Sequence, residues 1–169
     1  MRAIAFVFDL STTEFKFAVR SKSGDIDHVS IPMRGQVKWK GQPAFDLSYL
    51  PGMIEEALNF FRARGWTFGR GGAISYSVRQ HDMVLLGRDN KPLIPALSWQ
   101  CSVAKKQTEL INSNPANVAA VGVVEPRFIL PKLGWALKKS RDLAAKVRDV
   151  LTTGDYIAYM LTGKIRLST

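Results

Sequence analysis

The sequence predicts an α/β domain with a mixed sheet. Residues 1–32 contain three short apolar or alternating segments joined by tight turns, which is typical of an antiparallel meander. An amphipathic helix follows, and further short strands come next, before a run of helices. The length of 169 residues is that of one domain and suffices for a substantial core.

Three strands open the chain. The first is a continuous apolar run that ends at Asp9, and such a run predicts a strand buried on both faces. The second alternates apolar with polar residues, and the short connection between the two makes them a hairpin candidate. Turn residues Ser23-Gly24-Asp25 lead to the third strand, which Pro32 stops. The predicted strands are residues 3–8, 15–20 and 26–31.

The middle of the chain combines a loop, a helix and further strands. Residues 33–49 are rich in glycine and proline and are predicted to be an irregular loop. Apolar residues then recur at helical spacing from Met53 to Phe61, so we expect a helix that Gly65 ends. The strands predicted beyond it are 73–76, 83–86 and 93–97, the last two joined by a turn at 87–91.

The last third of the chain is predicted to be mainly helical. Ser140 is a candidate cap for a helix that runs to Arg148. Asp155 is predicted as the N-cap of a final helix, which Gly163 closes. The other helices are predicted over 103–111 and 133–139.

Composition excludes several classes of protein. Hydrophobic residues make up 46% and charged residues 22%, as in ordinary globular proteins. No apolar run approaches the roughly 20 residues of a membrane helix, and the N-terminus lacks the pattern of a signal peptide. The single cysteine, Cys101, excludes an internal disulfide and a cysteine metal site. We therefore expect a cytoplasmic protein with no membrane partner.

The net charge of +10 favours anionic partners such as nucleotides, phosphorylated metabolites or nucleic acid. The densest basic stretch, residues 132–148, carries its Lys and Arg residues at helical spacing with aspartates interspersed. We interpret it as a solvated helix face, so nucleic acid is not an expected partner. Binding of nucleic acid through the basic second half is the remaining alternative, and it would be strongly salt-dependent.

The segment from Asp9 to Lys16 (Asp-Leu-Ser-Thr-Thr-Glu-Phe-Lys) combines groups that suit a metal–phosphate site. A carboxylate at the end of a buried strand is held rigidly, which suits a water-mediated Mg²⁺ contact. Hydroxyl and backbone N–H groups of a tight turn can surround phosphate oxygens, and Lys16 adds positive charge. The same residue types are also standard in a hairpin turn, so an ordinary turn is the alternative.

A second polar segment, Arg79-Gln80-His81-Asp82, follows a predicted strand. Arg, Gln and His provide directed hydrogen bonds that suit a polyhydroxylated ligand, and Trp99 could present its ring to the C–H surface of a sugar. The alternative is that His81 and Trp99 are ordinary packed residues. A histidine metal site is not supported, because His28 is the one other histidine, and no Gly-x-Ser-x-Gly hydrolase elbow is present.

In this order and spacing the motifs resemble the N-terminal domain of the FGGY carbohydrate kinases, whose members include glycerol kinase, xylulokinase and fuculokinase. Three parts carry the resemblance: residues 9–16, the stretch from Ile74 through Lys91-Pro92 to Cys101, and Asp155-Tyr156 with Leu161-Thr162-Gly163. The resemblance implies an actin-like, ribonuclease-H-like ATPase fold with a mixed sheet flanked by helices. It also implies use of ATP and Mg²⁺ and a sugar or polyol as substrate.

The resemblance also implies roles for particular residues. Asp9 would lie near Mg²⁺, and the phosphate would be approached by Ser11, Thr12, Thr13 and Lys16. The acceptor would be bound by Arg79, Gln80, His81, Trp99 and Arg127. No catalytic base is assigned within the chain.

Residues 1–169 are expected to be one FGGY N-terminal, acceptor-binding domain, about the first third of a typical member. The resemblance implies that the catalytic base and the nucleotide-binding domain lie beyond Thr169, so we expect the isolated chain to be inactive. A homo-oligomer is a further possibility. Ser11, Asp82 and Val103 depart from residues common in the family, which favours the alternative of a non-catalytic sugar-sensing or partner-binding domain on the same fold.

Overall fold

The computed structural model describes residues 1–165, so residues 166–169 of the predicted domain lie outside the described part. The chain divides into two compact units. Unit 1 consists of Met1–Gly35 and Ser48–Arg79. Unit 2 consists of Gln36–Leu47 and Gln80–Thr169.

Most of the described strands lie in the first 97 residues, and most of the helices follow them. In order they are β1 (Ala3–Leu10), β2 (Glu14–Ser21), β3 (Ile26–Pro32), β4 (Gln36–Trp39), β5 (Gln42–Phe45), α1 (Tyr49–Ala63), β6 (Ala73–Val78), β7 (Met83–Leu86), β8 (Ala96–Leu97), α2 (Lys105–Asn112), α3 (Pro115–Val121), α4 (Ile129–Lys139), α5 (Arg141–Lys146), β9 (Asp149–Thr152) and α6 (Thr153–Thr162).

Unit 1 contains a mixed sheet with the strand order β3-β2-β1-β6. The first three strands pair antiparallel, which confirms the predicted meander. The edge strand β6 runs parallel to β1, with Asp9 opposite Ser77. Helix α1 separates the meander from β6 in the chain and ends before Gly65, whose φ of 83° confirms the predicted stop.

The core of unit 1 lies on one face of this sheet, against α1. Phe8, Phe15 and Phe17 alternate inward and are nearly inaccessible, with the rings of Phe15 and Phe17 4.2 Å apart. The opposite face is open, because Ile4 and Val7 are 40% and 42% exposed. The prediction that the first strand is buried on both faces is therefore wrong for the described residues, since the described helix of unit 1 packs against one face.

Unit 2 contains an antiparallel sheet with the order β4-β5-β8-β7-β9. The predicted irregular loop at residues 33–49 is wrong, because β4 and β5 form a hairpin there. Lys40 and Gly41 connect the two strands with φ values of 50° and 79°. Two consecutive positive φ angles give the turn a twist that matches the flanking strands. The strand predicted over 93–97 is reduced to β8.

The helices of unit 2 were predicted less precisely than its strand β7, which spans the predicted residues 83–86. Helices α2 and α4 occupy predicted segments with shifted ends, whereas α3 and the strand β9 were not predicted. Asn114 caps α3, its side chain accepting a hydrogen bond from the N–H of Ala116 at 2.9 Å. The helix expected to continue from Ser140 to Arg148 ends at Lys146, because the chain turns into β9.

The start of α6 also differs from the prediction. Its N-cap is Thr152, and Asp155 is the third helical residue of a capping box. Thr152 Oγ1 accepts from the Asp155 N–H at 3.0 Å, while Asp155 Oδ2 accepts from the Thr152 N–H at 3.1 Å. Gly163 closes the helix in the left-handed conformation, as predicted.

Within residues 1–165, no helix has the length and apolar character needed to cross a lipid bilayer.

Candidate functional site

The turn after β1 is closed by its own serine. The Ser11 hydroxyl donates to the Glu14 carbonyl oxygen at 2.8 Å and accepts from the Glu14 N–H at 3.1 Å. The Ser11 N–H also donates to the Glu14 carbonyl oxygen, at 3.0 Å. The carbonyl of Thr13 accepts from the Met33 N–H at 2.9 Å, which joins the turn to the end of β3. The predicted phosphate turn is thus held by four hydrogen bonds around Thr12.

Arg79, at the end of unit 1, contacts this turn. Its Nη1 donates to the Ser11 carbonyl oxygen at 3.2 Å. The sequence placed Arg79 in the acceptor-binding group with Gln80 and His81. In the structure it lies beside the predicted phosphate-binding residues of unit 1.

Asp9 and Lys16 are register partners on β1 and β2 and share the open face of the sheet. Lys16 Nζ lies 3.0 Å from a carboxylate oxygen of Glu14. A hydrogen bond from Ser30 and the nearby Lys16 lower the pKa of Glu14, and Glu14 in turn raises the pKa of Lys16. A depression of about 310 Å³ lies over these residues and is lined by Asp9, Glu14, Lys16, His28 and Ser30 among others. At neutral pH it places the Glu14 carboxylate beside the Lys16 ammonium group.

The donor set around Asp9 fits Mg²⁺ but not a fully protein-bound metal. Among residues 1–165, no group of three or more His, Cys, Asp or Glu side chains is arranged to hold a metal ion. Mg²⁺ commonly keeps several water ligands and takes one or two carboxylates together with substrate phosphates. Asp9, half-buried near the end of β1, is suited to supply one such carboxylate.

His81 begins the polar group of unit 2 and adopts an unusual backbone conformation. Its φ is 63°, in the left-handed region, which costs a residue with a side chain on the order of 1–3 kcal/mol. Its imidazole stacks on the ring of Phe128, with centroids 4.3 Å apart and planes 16° apart. Burial, followed by the positive charges of Lys132 and Arg127, lowers the pKa of His81. The ring is therefore neutral at pH 7 and can both donate and accept a hydrogen bond.

Asp82 and Trp99 are joined directly. The carboxylate of Asp82 is fully buried, and its Oδ1 accepts from the Trp99 backbone N–H at 2.7 Å. Trp99 itself is 36% exposed, so part of its indole remains accessible. Asp82 is therefore an internal anchor for the backbone that carries Trp99.

Arg127 lies next to the same group. Its guanidinium carbon is 6.0 Å from the centroid of the Phe128 ring, on which His81 stacks, and its Nε lies 2.9 Å from Glu125. Gln80 is exposed and immediately precedes His81. Unit 2 thus brings His81, Trp99 and Arg127 together from three separate stretches of sequence, with Gln80 beside them.

Lys132 belongs to the same group, although it was not predicted there. It was interpreted as part of a solvated basic face, yet its side chain is completely buried on α4. Its Nζ donates to the carbonyl oxygens of His81, Leu97 and Ser98. Burial lowers its pKa to about 8. The spacing of Lys132, Trp135 and Ala136 was a usable signal, because i, i+3 and i+4 lie on one helix face.

The sequence of this chain matches a known family along almost its whole length. A model for the FGGY family of carbohydrate kinases, N-terminal domain, matches residues 4–168. The chain belongs to this family. The predicted resemblance to the N-terminal domain of the FGGY family is confirmed.

Curated relatives of this FGGY domain are named xylulose kinases. The xylulose kinase of Staphylococcus xylosus is 25% identical over 162 residues, which cover 93% of this chain and 33% of that protein. The xylulose kinase of Lactococcus lactis subsp. lactis is 30% identical over 100 residues, covering 54% of this chain and 19% of that protein. The chain spans about a third of the length of the first of these relatives.

Solved structures confirm the predicted fold class. A xylulose kinase from Brucella ovis superposes with a TM-score of 0.80 at 23% identity, covering 94% of this chain and 34% of that chain. The ligand-bound xylulose kinase from Lactobacillus acidophilus superposes with a TM-score of 0.80 at 20% identity, covering 98% of this chain and 34% of that chain. Glycerol kinase from Plasmodium falciparum with ADP superposes with a TM-score of 0.75 at 15% identity, covering 96% of this chain and 35% of that chain. The FGGY domain therefore has the actin-like, ribonuclease-H-like fold, with a mixed sheet flanked by helices.

Proposed function

We propose that this chain is the acceptor-binding lobe of an ATP-dependent carbohydrate kinase, which transfers the γ-phosphate of ATP to a hydroxyl group of a sugar or polyol. One observation carries the proposal: in a member of a carbohydrate kinase family, unit 2 gathers His81, Trp99 and Arg127 at one place. Directed hydrogen-bonding groups beside an accessible aromatic ring suit a polyhydroxylated ligand.

Each residue of the acceptor group has a distinct proposed role. The neutral imidazole of His81 would exchange hydrogen bonds with a sugar hydroxyl, with Gln80 supplying a further amide beside it. The exposed part of Trp99 would cover the C–H surface of the sugar. Arg127, exposed and paired with Glu125, would donate to an acceptor oxygen. Because the curated relatives are named xylulose kinases, xylulose is the first acceptor to test.

The phosphate and metal groups belong to unit 1. Asp9 would hold Mg²⁺ through water, and the ion would neutralise charge on the phosphates. The hydroxyls of Thr12 and Thr13 and the ammonium group of Lys16 would approach the transferred phosphate. Ser11 would reach it only if its O–H turned away from the Glu14 carbonyl oxygen, to which it donates. Arg79 would brace the turn through the Ser11 carbonyl oxygen.

This lobe would not complete the reaction alone. Phosphoryl transfer needs nucleotide, metal and acceptor held in line, and we assign the catalytic base and the adenine site to protein outside these residues. The 169-residue chain should therefore show no ADP release with ATP, Mg²⁺ and any sugar, and the full-length protein is the form to assay.

A substitution at Asp9 tests the proposed metal site. In the full-length protein, Asp9→Asn should lower the turnover number by at least about 100-fold, because the metal loses its carboxylate. Coupled ADP-release kinetics with xylulose and a panel of other sugars measure this. Asp142→Asn, at an exposed carboxylate of α5, is the matched control and should retain turnover. Wild-type turnover in Asp9→Asn would remove Asp9 from the site.

The closed Ser11–Glu14 turn favours a second candidate, a sugar-sensing or partner-binding domain without catalysis. In that case calorimetry on the full-length protein would detect sugar binding while no ADP is released. The reading frame downstream of the Thr169 codon gives an independent test. A frame that continues into a nucleotide-binding domain favours the kinase, and a stop codon favours the binding module.

A further inference from the structure

The buried side chain of Lys132 joins two segments of unit 2 that are far apart in sequence. Its Nζ donates to the carbonyl oxygen of His81, 51 residues away. It also lies 3.4 Å from the carbonyl oxygen of Leu97 and 3.2 Å from that of Ser98. One ammonium group therefore ties the backbone of His81 to the backbone immediately before Trp99.

A second link runs parallel to the first. Asp82, the residue after His81, accepts from the Trp99 N–H at 2.7 Å and is fully buried. The Asp82 carboxylate also favours the charged form of Lys132. The anion and the cation together hold the same two segments, one through a backbone N–H and the other through backbone carbonyls.

We propose that Lys132 is a positioning residue for the acceptor site, which sets the spacing between His81 and Trp99 by binding the carbonyl oxygens on both segments. This inference rests on the proposed function, because His81 and Trp99 are assigned there to the acceptor. Lys132 does not touch the acceptor itself. It acts through the backbone that carries the two binding side chains.

An ammonium group suits this place for a chemical reason. It has three N–H donors and faces three carbonyl oxygens. A neutral amine has two N–H donors and a lone pair, which would face the third carbonyl oxygen unfavourably. The left-handed backbone of His81 needs such a restraint, since its φ of 63° is disfavoured for a residue with a side chain.

The charged groups around Lys132 give the proposal a pH dependence. Desolvation lowers the pKa of Lys132 to about 8, against the opposing effects of Asp82 and Cys101. Burial raises the pKa of the Cys101 thiol, and burial with nearby cations lowers the pKa of His81. As the pH rises through about 8, Lys132 is therefore the group of this cluster that loses its charge.

The first test separates acceptor binding from the rest of the reaction. Lys132→Met keeps the length of the side chain and removes its donors. In the full-length protein it should raise the KM for the acceptor by about tenfold or more while the KM for ATP stays within about twofold. Lys139→Met, at an exposed position of the same helix, is the matched control and should change neither. An unchanged acceptor KM, or equal changes in both KM values, would overturn the proposal.

The second test uses pH and does not depend on whether Lys132→Met folds. In the wild-type protein the acceptor KM should be constant between pH 7 and about 8, where His81 is neutral and Lys132 charged, and rise above pH about 8. Asp82→Asn keeps an oxygen for the Trp99 N–H but removes the negative charge, so the rise should move to lower pH. A profile that is the same in Asp82→Asn and wild type would contradict a role for the Lys132 charge.

A third measurement distinguishes failure of this inference from failure of the proposed function. If the full-length protein turns over no sugar, the kinase proposal fails, and hydrogen exchange of the Trp99 backbone N–H still tests Lys132. That exchange should be faster in Lys132→Met than in Lys139→Met at the same global stability. Equal exchange rates would overturn the positioning role.

Discussion

Asp27 shows how one carboxylate connects distant parts of unit 1. Its Oδ2 accepts from Arg64 Nε at 2.6 Å and from the Trp66 indole N–H at 3.2 Å. Its side chain is 16% exposed, so water screens these contacts only in part. The hydrogen bond from Arg64 is the largest cause of the lowered pKa of Asp27. This strand residue therefore links β3 to the segment that follows α1.

The lowered pKa of Asp27 predicts how its contribution to stability depends on pH. A depressed carboxylate pKa contributes stability above the unfolded value of about 4, and that contribution is lost as the pH falls through the folded value. Asp27→Asn should therefore have a lower free energy of unfolding than wild type at neutral pH. Near pH 3 this difference in unfolding free energy should be smaller. Urea denaturation at both pH values measures this.

Glu56→Gln is the control for Asp27→Asn. It removes an ion pair with Arg34 at 2.8 Å in which both side chains are nearly half exposed. Such a surface pair contributes little, so the variant should resemble wild type at either pH. A constant difference between Asp27→Asn and wild type at all pH values would contradict the electrostatic account.

At the scale of elements, the capping box of α6 carries the clearest prediction. Thr152→Ala removes the side chain that accepts from the Asp155 N–H, and it should cost about 1 kcal/mol of unfolding free energy. Ser140 offers a matched control, because it is the N-cap of α5 but makes no side-chain cap hydrogen bond. Ser140→Ala should therefore change stability little. Denaturant unfolding measures both variants. Equal losses of unfolding free energy would show that the side-chain hydrogen bond of the capping box does not stabilise the protein.

Elements also differ in how far they were predictable. The meander and α1 have alternation or helical periodicity together with local stop signals, and both are confirmed. The β4–β5 hairpin was missed because its strands are four residues each and Lys40 occupies a turn position where Asn or Asp is the usual signal. The helix predicted from Ser140 to Arg148 ends at Lys146, and β9 was not predicted, because an apolar pattern this short fits either a helix or a strand.

At the scale of the whole chain, apolar side chains remain accessible in both units. Ile74 on the edge strand β6 is 54% exposed, and Leu110 and Val123 in unit 2 are 71% and 72% exposed. An edge strand with an exposed apolar side chain is prone to pair with another chain. On the basis of these exposed side chains, we propose that the 169-residue chain forms a homo-oligomer.

We expect the 169-residue chain to self-associate through β6. Its weight-average mass in sedimentation equilibrium should rise with concentration, and Ile74→Lys should reduce that rise by placing a charge on the edge strand. Ile26→Lys, on the opposite edge strand β3, adds the same charge and controls for net charge. A mass that stays monomeric throughout, or equal effects of the two variants, would contradict association through β6.

Near neighbours in the chain were enough to predict much of this domain. The strand–turn–strand opening, helix α1, the stops at Gly65 and Gly163, the fold class and the family all follow from patterns that span a few residues or from motifs in order. Hydrophobic periodicity and turn conformation are local properties, so the sequence displays them directly.

Contacts between distant residues settled the rest. The open face of β1 depends on which helix packs against the sheet, and the carbonyl oxygen of the left-handed His81 accepts a hydrogen bond from Lys132 on α4. Lys132 looked like one more surface cation, and it is buried because three carbonyl oxygens, the nearest in sequence 34 residues away, converge on its ammonium group. Burial of a charge is decided by partners that the fold brings together, and a linear pattern does not contain them.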